Sequence, residues 1–177
     1  METYGSDMPD LRIDLTLTDI SNEVKGCGFE QIDGKVVKAI AVSDCTLPRK
    51  AIDQLCTDVE VQSGSKPYWF KVDENGQLAG GIAKFMNGCH EALTAKLGLK
   101  PNMLEGVAAG DKGSAIKTAG VLRSKLGAAC EGHMAKERYE FCWIGDFPMY
   151  EIGDESGELE FCHNPFSKPS GGLEVLL

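Results

Sequence analysis

The spacing of apolar residues along the chain predicts an ordered series of strands and helices. Alternating apolar residues over 11–17 indicate an extended segment, and the run KVVKAIAV at 35–42 indicates a mostly buried strand. Apolar residues between 52 and 59 then recur at i, i+3, i+4 and i+7, which predicts a helix with one apolar face. We expect Thr46 to cap this helix, with Pro48 accommodated near its first turn.

A second pair of strands is predicted around an aromatic run. The sequence PYWFKV at 67–72 is rich in residues that favour strands, and the turn dipeptide Asn75-Gly76 leads into a return segment over 78–85. Gly80-Gly81 interrupts that return segment. Two adjacent glycines there predict a bulge or a close approach of another stretch of backbone.

The remaining elements of this region predict the fold class. A helix is expected from Asn87 to Gly98, then a strand over 101–109, then a longer helix opened by Asp111 and closed by Gly127. The order strand, helix, two strands, helix, strand predicts an α+β domain of two layers. Its sheet would be mainly antiparallel, with helices on one face.

Four basic residues on the last helix have two interpretations: Lys112, Lys117, Arg123 and Lys125. They could contact RNA phosphates, or they could form an ordinary solvated helix face. Four cations over four turns are common, which favours the solvated face.

The last 40 residues predict a separate group of strands. Segments 141–144 and 147–152 are strand-like, a glycine-rich turn follows, and 158–162 returns as the second arm of a hairpin. Trp143 and Phe147 are candidates for stacking on nucleic-acid bases. Their positions on one face of a strand favour core residues instead.

Composition and charge exclude several classes of protein. The chain has 177 residues and a mass of 19.1 kDa, and its 27 acidic and 18 basic residues give a formal charge of −9. With 42% hydrophobic residues, it is typical of a folded globular protein. Neither a membrane-spanning run nor a signal peptide is evident, and the charge argues against a broad phosphate-binding face.

The seven cysteines predict reduced thiols. Their number is odd, their spacing is irregular, and they form neither a CxxC motif nor a zinc spacing with the three histidines. A catalytic or metal-bound cysteine is the minor alternative. Buried, reduced thiols indicate a reducing compartment such as the cytoplasm.

Charged residues near the N-terminus also have two interpretations. Asp7, Asp10 and Arg12 could belong to an active site, or they could stabilise a turn around Pro9. Aspartates next to proline more often stabilise turns, which favours the second interpretation. Asp146, which precedes Phe147-Pro148, is likewise expected to anchor the end of a strand.

Three groups of residues, in this order, carry a resemblance to a known family. They are YGSDMPDLR at 4–12; GIAKF at 81–85 with LRSKLG at 122–127; and WIGDFPMY at 143–150 with HNPF at 163–166. Together they resemble the middle of a bacterial-type aspartyl-tRNA synthetase, a class II enzyme, and the resemblance covers essentially the whole chain.

The resemblance implies a division of the chain into four parts. Residues 1–18 would belong to the catalytic domain, 19–110 to its GAD insertion domain, 111–138 to a connecting helix, and 139–177 to strands and a loop of the catalytic domain. The insertion would have the DCoH-like α+β fold. The flanking parts would contribute strands to the antiparallel sheet of a class II synthetase.

The family's activity implies partners that this chain would use only as part of a whole enzyme. The family joins L-aspartate to tRNA through an aspartyl-adenylate, with ATP and Mg²⁺, and acts as a cytoplasmic homodimer. Its arginine clamps lie in class II motifs 2 and 3, and neither motif occurs in this sequence. We therefore expect no catalytic residue, no metal site, no bound cofactor, no activity and a monomeric state for this chain alone. The tRNA partner would be that for aspartate, with that for asparagine left open.

One substrate-binding residue is implied by the resemblance. His163 matches the first histidine of the family's His-[His/Asn]-Pro-Phe string, which helps to position aspartate. Asn164 and Asp146 are candidate neighbours of that site, without a separate role. Two departures from the family pattern are Met8, where lysine is usual, and Gly145, where a β-branched residue is usual.

Two hypotheses compete with an enzyme segment. The chain could be a free-standing GAD-type module that interacts with tRNA, since GAD domains also resemble part of a tRNA-dependent amidotransferase subunit. It could also be an unrelated α+β domain that binds a small molecule. The strings at 143–150 and 163–166 favour the synthetase, because a docking module has no use for them.

Overall fold

A computed structural model describes residues 1–145, 150–153 and 156–162 of the chain. It divides into two compact units, Met1–Glu140 and Phe141–Leu177. Among the described residues, no helix is long and apolar enough to cross a membrane.

The first unit is built on a five-stranded antiparallel sheet of order β1-β2-β5-β3-β4. In chain order, its elements are β1 Thr18–Asp19, β2 Val36–Val42, α1 Arg49–Ser63, β3 Tyr68–Val72, β4 Leu78–Ala79, α2 Ala83–Met86, a 3-10 turn Asn87–Cys89, α3 His90–Leu97, β5 Leu104–Gly110 and α4 Lys112–Ala129. The predicted α+β class is confirmed.

The last strand of the sheet in sequence occupies its centre. β5 pairs with β2 from Val36 opposite Gly110 to Val42 opposite Leu104, and its other edge pairs with β3. Side chains alternate between the two faces of a strand. Both faces of β5 are buried, because Leu104 and Ala108 belong to one apolar core and Val107 belongs to another.

The two long helices cover one face of the sheet, as the apolar spacing predicts. Ile52, Leu55, Cys56 and Val59 of α1 are buried against apolar residues of α4 and the sheet. Gly106 of β5 faces α4 closely, since a Cβ atom there would lie 2.9 Å from the Cδ1 atom of Leu126. A small residue at the centre of the sheet therefore sets the depth at which α4 packs.

The opposite face is covered by the loop before β2 and by the short helices. Ile20 and Ile32 of that loop and Leu93 of α3 are buried with Val37 and Val107 of the sheet. The sequence predicts that α1 and α3 cover the same face of the sheet. The structure places α3 on the face opposite α1, so both faces of the sheet are covered.

Two local predictions differ from the structure at the ends of elements. α1 begins after Pro48 rather than at a Thr46 cap. α4 is capped by Asp111, whose carboxylate accepts from the Ser114 amide as expected, but it continues past Gly127 to Ala129. Gly127 lies inside the helix, and its small size allows close packing, because a Cβ atom there would overlap the Ile13 side chain.

The return strand after Asn75-Gly76 is only two residues long. Gly80 and Gly81 have positive φ angles, and the next amide, of Ile82, donates to the carbonyl of Trp69. A Cβ atom on Gly81 would overlap that carbonyl oxygen. The predicted close backbone approach is confirmed, and it ends the strand.

The described part of the second unit is a small hairpin. β6 Tyr150–Ile152 pairs with β7 Leu159–Phe161, in the region where a hairpin is predicted. The predicted strand over 141–144 is wrong, because these residues adopt no regular structure. The prediction of a core position for Trp143 is also wrong: its side chain is 100% exposed, since no described element covers it. Phe147 lies outside the described residues.

Candidate functional site

The residues predicted to bind aspartate cannot be placed from the structure. His163, Asn164 and Asp146 lie outside the described residues, so their roles stay predictions. The described hairpin ends at Phe161, two residues before His163, and the Phe161 and Tyr150 rings pack at a centroid distance of 4.8 Å. In the sequence, the HNPF string begins two residues after the end of β7.

The second unit exposes a set of large apolar side chains, which we call the tail apolar surface. It consists of Phe141, Trp143, Ile144, Tyr150, Ile152, Leu159 and Phe161. A two-stranded hairpin alone is at best marginally stable in water, and exposed apolar patches commonly mark interaction surfaces. These residues are suited to packing against a further part of a protein.

In the first unit, Arg123 connects the N-terminal string to α4. Its side chain is 1% exposed, and its Nε atom donates to the Leu15 carbonyl at 2.6 Å. Its Nη2 atom donates to the carbonyls of Ile13 at 2.7 Å and Asp10 at 3.0 Å. Desolvation lowers the pKa of this guanidinium. Both interpretations of Arg123, as an RNA contact and as a solvated residue, are wrong.

Two further contacts hold the N-terminal string against α4. The ring of Tyr4 lies 4.9 Å from the Arg123 guanidinium carbon, in cation–π geometry. Gly5 and Gly120 meet so closely that a Cβ atom on Gly120 would lie 2.3 Å from the Gly5 carbonyl oxygen. The string that carries the family resemblance is therefore docked on the helix.

The charged residues near Pro9 form a local turn, as the favoured interpretation predicts. The Arg12 side chain donates to both carboxylate oxygens of Asp10, with Nε–Oδ1 at 2.9 Å and Nη2–Oδ2 at 2.6 Å. The Asp10 carboxylate also accepts from the Arg12 amide at 3.1 Å. These hydrogen bonds lower the pKa of Asp10.

Two of the four basic residues on α4 border an open cleft. Lys117 and Lys125 are exposed and line a cleft of about 390 Å³ together with Ser6 and Gln62. Lys112 instead forms an ion pair with Glu2 at 2.9 Å. We call the cleft that Lys117 and Lys125 border the basic cleft.

Glu2 also reaches the sheet. It accepts from Lys38 of β2 at 2.6 Å, and Asp19 approaches the same ammonium group at 3.2 Å. Hydrogen bonds from Lys38 and Lys112 lower the pKa of Glu2 to about 2. Ion pairs of Glu2 therefore hold the start of the chain against β2 and α4, in addition to the contacts that the N-terminal string makes with Arg123.

A histidine that the sequence did not single out joins the two ends of the first unit. The ring of His133 contacts the Asp14 carboxylate at 2.8 Å through Nδ1 and the Ser43 carbonyl at 3.0 Å through Nε2. A carbonyl and a carboxylate both accept, so satisfying both requires the protonated imidazolium. Desolvation lowers the pKa of His133, but these two hydrogen bonds outweigh it and raise the pKa overall.

Two thiols lie beside this histidine. The Sγ atoms of Cys45 and Cys130 are 3.6 Å apart, although the residues are separated by 85 positions. A hydrogen bond from Cys130 lowers the pKa of Cys45 to about 6, against desolvation and with help from the Leu47 amide and the charges of Lys71 and His133. The pKa of Cys130 is raised by its hydrogen bond to Cys45 and by burial. The sequence holds no short motif from which this pair could be predicted.

Glu105 is a buried carboxyl group at the centre of β5. It is fully buried, and both of its carboxylate oxygens have no hydrogen-bond partner. The residues opposite it, Ala41 and Phe70, carry no polar side chain. Desolvation raises the pKa of Glu105 to about 8, which makes it mostly protonated at neutral pH.

Neither a metal site among the described residues nor a family model assigns the chain to a class of proteins. Within 1–145, 150–153 and 156–162, no group of three or more His, Cys, Asp or Glu side chains could hold a metal ion. No family model matches the chain.

Individual relatives are more informative. The aspartate–tRNA ligase of Streptomyces coelicolor is 42% identical over 179 residues, which covers 99% of this chain and 30% of the relative. That of Streptococcus suis is 40% identical over 96% of this chain, and the aspartate–tRNA(Asp/Asn) ligase of Rickettsia felis is 34% identical over 99%. This chain is a homologue of part of an aspartate–tRNA ligase. The resemblance found in the three strings is confirmed.

The match with the ligases is continuous but partial. The chain spans about 30% of the length of these relatives. Both the docked N-terminal string and the tail apolar surface lie in the matched part. The similarity therefore covers both units of this chain.

Proposed function

We propose that this chain acts as a segment of an aspartate–tRNA ligase, which attaches L-aspartate to tRNA through an aspartyl-adenylate made from ATP. The observation that carries the proposal is identity of 34–42% to such ligases over 99% of the chain. The whole enzyme would be a cytoplasmic homodimer that uses ATP, Mg²⁺ and the tRNA for aspartate. The chain alone would be inactive.

The engagement of every arginine supports the inactivity of the isolated chain. Adenylate formation needs cationic groups that clamp the phosphates of ATP. Of the four arginines in the sequence, Arg123 is buried, and the others pair with carboxylates at Asp10, Asp53 and Glu140. The phosphate clamps would come from other parts of the ligase.

The geometry of the chain ends supports an insertion domain in the first unit. The amides of Asp14 and Ala135 donate to the carbonyls of His133 and Arg12, and Ile13 bridges to Met134. Two segments near the ends of the first unit, 12–14 and 133–135, thus lie side by side, and we call them the stem. A domain on such a stem can be inserted into a host domain without separating the host residues on either side. We assign the GAD insertion to residues 19–110 and the connecting helix to 111–138, with 1–18 and 139–177 belonging to the host.

The tail apolar surface supports the assignment of 139–177 to a larger domain. We propose that its aromatic and aliphatic side chains pack against the rest of the catalytic domain. His163, after β7, would then contact the aspartate substrate, with Asn164 and Asp146 nearby. An imidazole can donate to the substrate carboxylate or accept from its ammonium group.

The test is a chimaera with a relative. Residues 1–177 replace the matching segment of the Streptomyces coelicolor ligase, and aspartylation of tRNA is measured. We expect the chimaera to be active and the isolated chain to show no aspartate-dependent exchange of pyrophosphate into ATP. In the chimaera, His163→Ala should raise the KM for aspartate roughly 10- to 100-fold, because a hydrogen bond to a charged group is lost.

The matched control is His90→Ala, which alters a histidine on α3 in the first unit. It should leave the KM for aspartate unchanged. Equal effects of the two histidine variants, or exchange activity in the isolated chain, would contradict the proposal.

The basic cleft supports a second candidate function, that of a free-standing module that docks on tRNA. Lys117 and Lys125 are two turns apart on one exposed side of α4, a spacing suited to backbone phosphates. On this hypothesis, the isolated chain binds tRNA measurably. On the first hypothesis, binding requires the rest of the ligase.

Reversing both charges tests this alternative. If the cleft binds tRNA, Lys117→Glu with Lys125→Glu should weaken binding by the isolated chain roughly tenfold at low salt and reduce the salt dependence of the binding constant. Lys84→Glu with Lys100→Glu, at other exposed positions, is the control and should have a smaller effect. Equal effects of both pairs, or no binding by the unaltered chain, would eliminate the docking module.

A further inference from the structure

We propose that Cys45 and Cys130 form a thiol–disulfide exchange site that reacts with low-molecular-weight disulfides and closes into an internal disulfide bond. The proposal rests on the geometry of the first unit and is independent of the proposed ligase function. Cys45 lies in the loop after β2, and Cys130 caps the C-terminal end of α4.

The distance between the two thiols suits such a bond. Their Sγ atoms are 3.6 Å apart, and a disulfide requires about 2.05 Å, so the sulfur atoms need to approach by only about 1.5 Å. Cys45 belongs to an irregular loop, which can supply this movement. Cys56 has no such partner: it is buried among apolar residues of α1 and its neighbours, and burial raises its pKa to about 11.

The surroundings of the two sulfur atoms favour Cys45 as the one that attacks first and Cys130 as the one that reacts second. Cys45 is half-buried and accessible, and the groups that face it are the Cys130 thiol, the Leu47 amide, the Lys71 ammonium and the His133 imidazolium. All four stabilise a negative sulfur. Cys130 is only 6% exposed and lies within hydrogen-bond distance of Cys45, which suits a thiol that reacts second.

The reaction balances as an exchange between thiols and a disulfide. The Cys45 thiolate attacks one sulfur of the small disulfide, forms a mixed disulfide, and displaces the other half as a thiolate. The Cys130 thiol gives its proton to that displaced thiolate. The Cys130 sulfur then attacks the Cys45 sulfur and displaces the second half as a thiolate, which takes up from water the proton that Cys45 released when it ionised. The two cysteines are oxidised to one disulfide, and the small disulfide is reduced to two thiols.

The bond would act on the stem. Cys130 is three residues before His133, whose ring contacts Asp14 and the Ser43 carbonyl, two positions before Cys45. An internal disulfide would join the β2–α1 loop to the end of α4 beside the stem. Oxidation would thereby cross-link the base of the domain.

The experiment uses the full chain and oxidised glutathione as the probe. Trypsin cleaves this sequence into peptides 39–49 and 126–136, which contain Cys45 and Cys130 as their only cysteines. After incubation and digestion without reductant, we expect mass spectrometry to find these two peptides linked. Cys130→Ser should stop the reaction at a glutathione adduct on Cys45, and Cys45→Ser should leave Cys130 unmodified.

A pH profile separates this site from ordinary thiol oxidation. In the unaltered chain, which keeps the Cys130 thiol beside Cys45, formation of the linked peptides should depend less on pH than adduct formation at the exposed Cys142 in the same sample. Cys142→Ser is the control that should still form the linked peptides. The proposal is overturned if the linked peptides do not form, if Cys45→Ser leaves Cys130 equally reactive, or if Cys45 follows the pH profile of Cys142.

Discussion

Arg123→Leu is expected to lower the free energy of unfolding of the first unit by about 3–5 kcal/mol, the range found when one partner of a buried charged network is removed. Arg123 is the donor for the carbonyls of Asp10, Ile13 and Leu15. Leucine fills part of the space but donates nothing. The buried carbonyls would lose their partner, and each such loss costs about 1–3 kcal/mol.

Urea denaturation followed by far-UV circular dichroism measures this effect. The matched control is Arg12→Leu, which removes an arginine whose side chain is 41% exposed and pairs only with Asp10. Its effect should be much smaller than that of Arg123→Leu, because exposed ion pairs contribute little. Arg123→Leu within 1 kcal/mol of the unaltered protein would show that the N-terminal string does not depend on this residue.

Glu105→Gln is expected to stabilise the protein at neutral pH and above. Burial raises the pKa of Glu105 from 4.5 to about 8, so the folded state binds more protons than the unfolded state between these values. Stability must then fall as pH rises from about 4.5 to 8 and level off above 8. Glutamine resembles the protonated acid and removes this loss, which amounts to about 3 kcal/mol at pH 7 and about 5 kcal/mol above pH 8.

The measurement is the free energy of unfolding of both proteins between pH 4 and pH 9. The curves should meet near pH 4 and separate as the pH rises. Glu91→Gln, at an exposed position on α3, is the control and should follow the unaltered protein throughout. A constant difference between Glu105→Gln and the unaltered protein at every pH would show that ionisation of Glu105 is not its cause.

Much of the fold could be predicted because apolar spacing reports which residues are buried. The strand 35–42 and the stripe of α1 were identified in this way, and β2 and α1 occupy those positions. The spacing of apolar residues in a helix shows that one side of the helix is buried, but not which face of the sheet it packs on. The stripe of α3 therefore gave no indication that Leu93 packs on the face opposite α1.

Local signals also failed where distant residues decide the outcome. Glycine commonly follows the last turn of a helix, but Gly127 lies inside α4. A glycine is required there because Ile13 leaves no room for a larger side chain. Arg123 looks like a surface cation by residue type. Its position at i+7 from Ile116 and i+4 from Ala119 was the available indication that it faces the core. The carbonyls that make burial tolerable belong to a segment more than 100 residues earlier.

Some features of the candidate site could likewise be predicted from the sequence, and others could not. The family strings predict a similarity to part of aspartate–tRNA ligases, and the relatives confirm that similarity over both units. The thiol pair and the contacts of His133 were not predicted, because they join residues that only the folded chain brings together. The prediction for His163 rests on the string alone and awaits the chimaera.

The position of β5 has a consequence for how the chain folds during synthesis. β2 and β3 each pair with β5 and not with each other, although both precede it in sequence. A chain that emerges from its N-terminus can pair β1 with β2 and β3 with β4, but it cannot join these two pairs into one sheet before β5 arrives. β2 must wait more than 60 residues for Leu104–Gly110, and the N-terminal string must wait longer for Arg123. Folding of the first unit is therefore a late and cooperative step, in which the centre of the sheet arrives after its flanking strands.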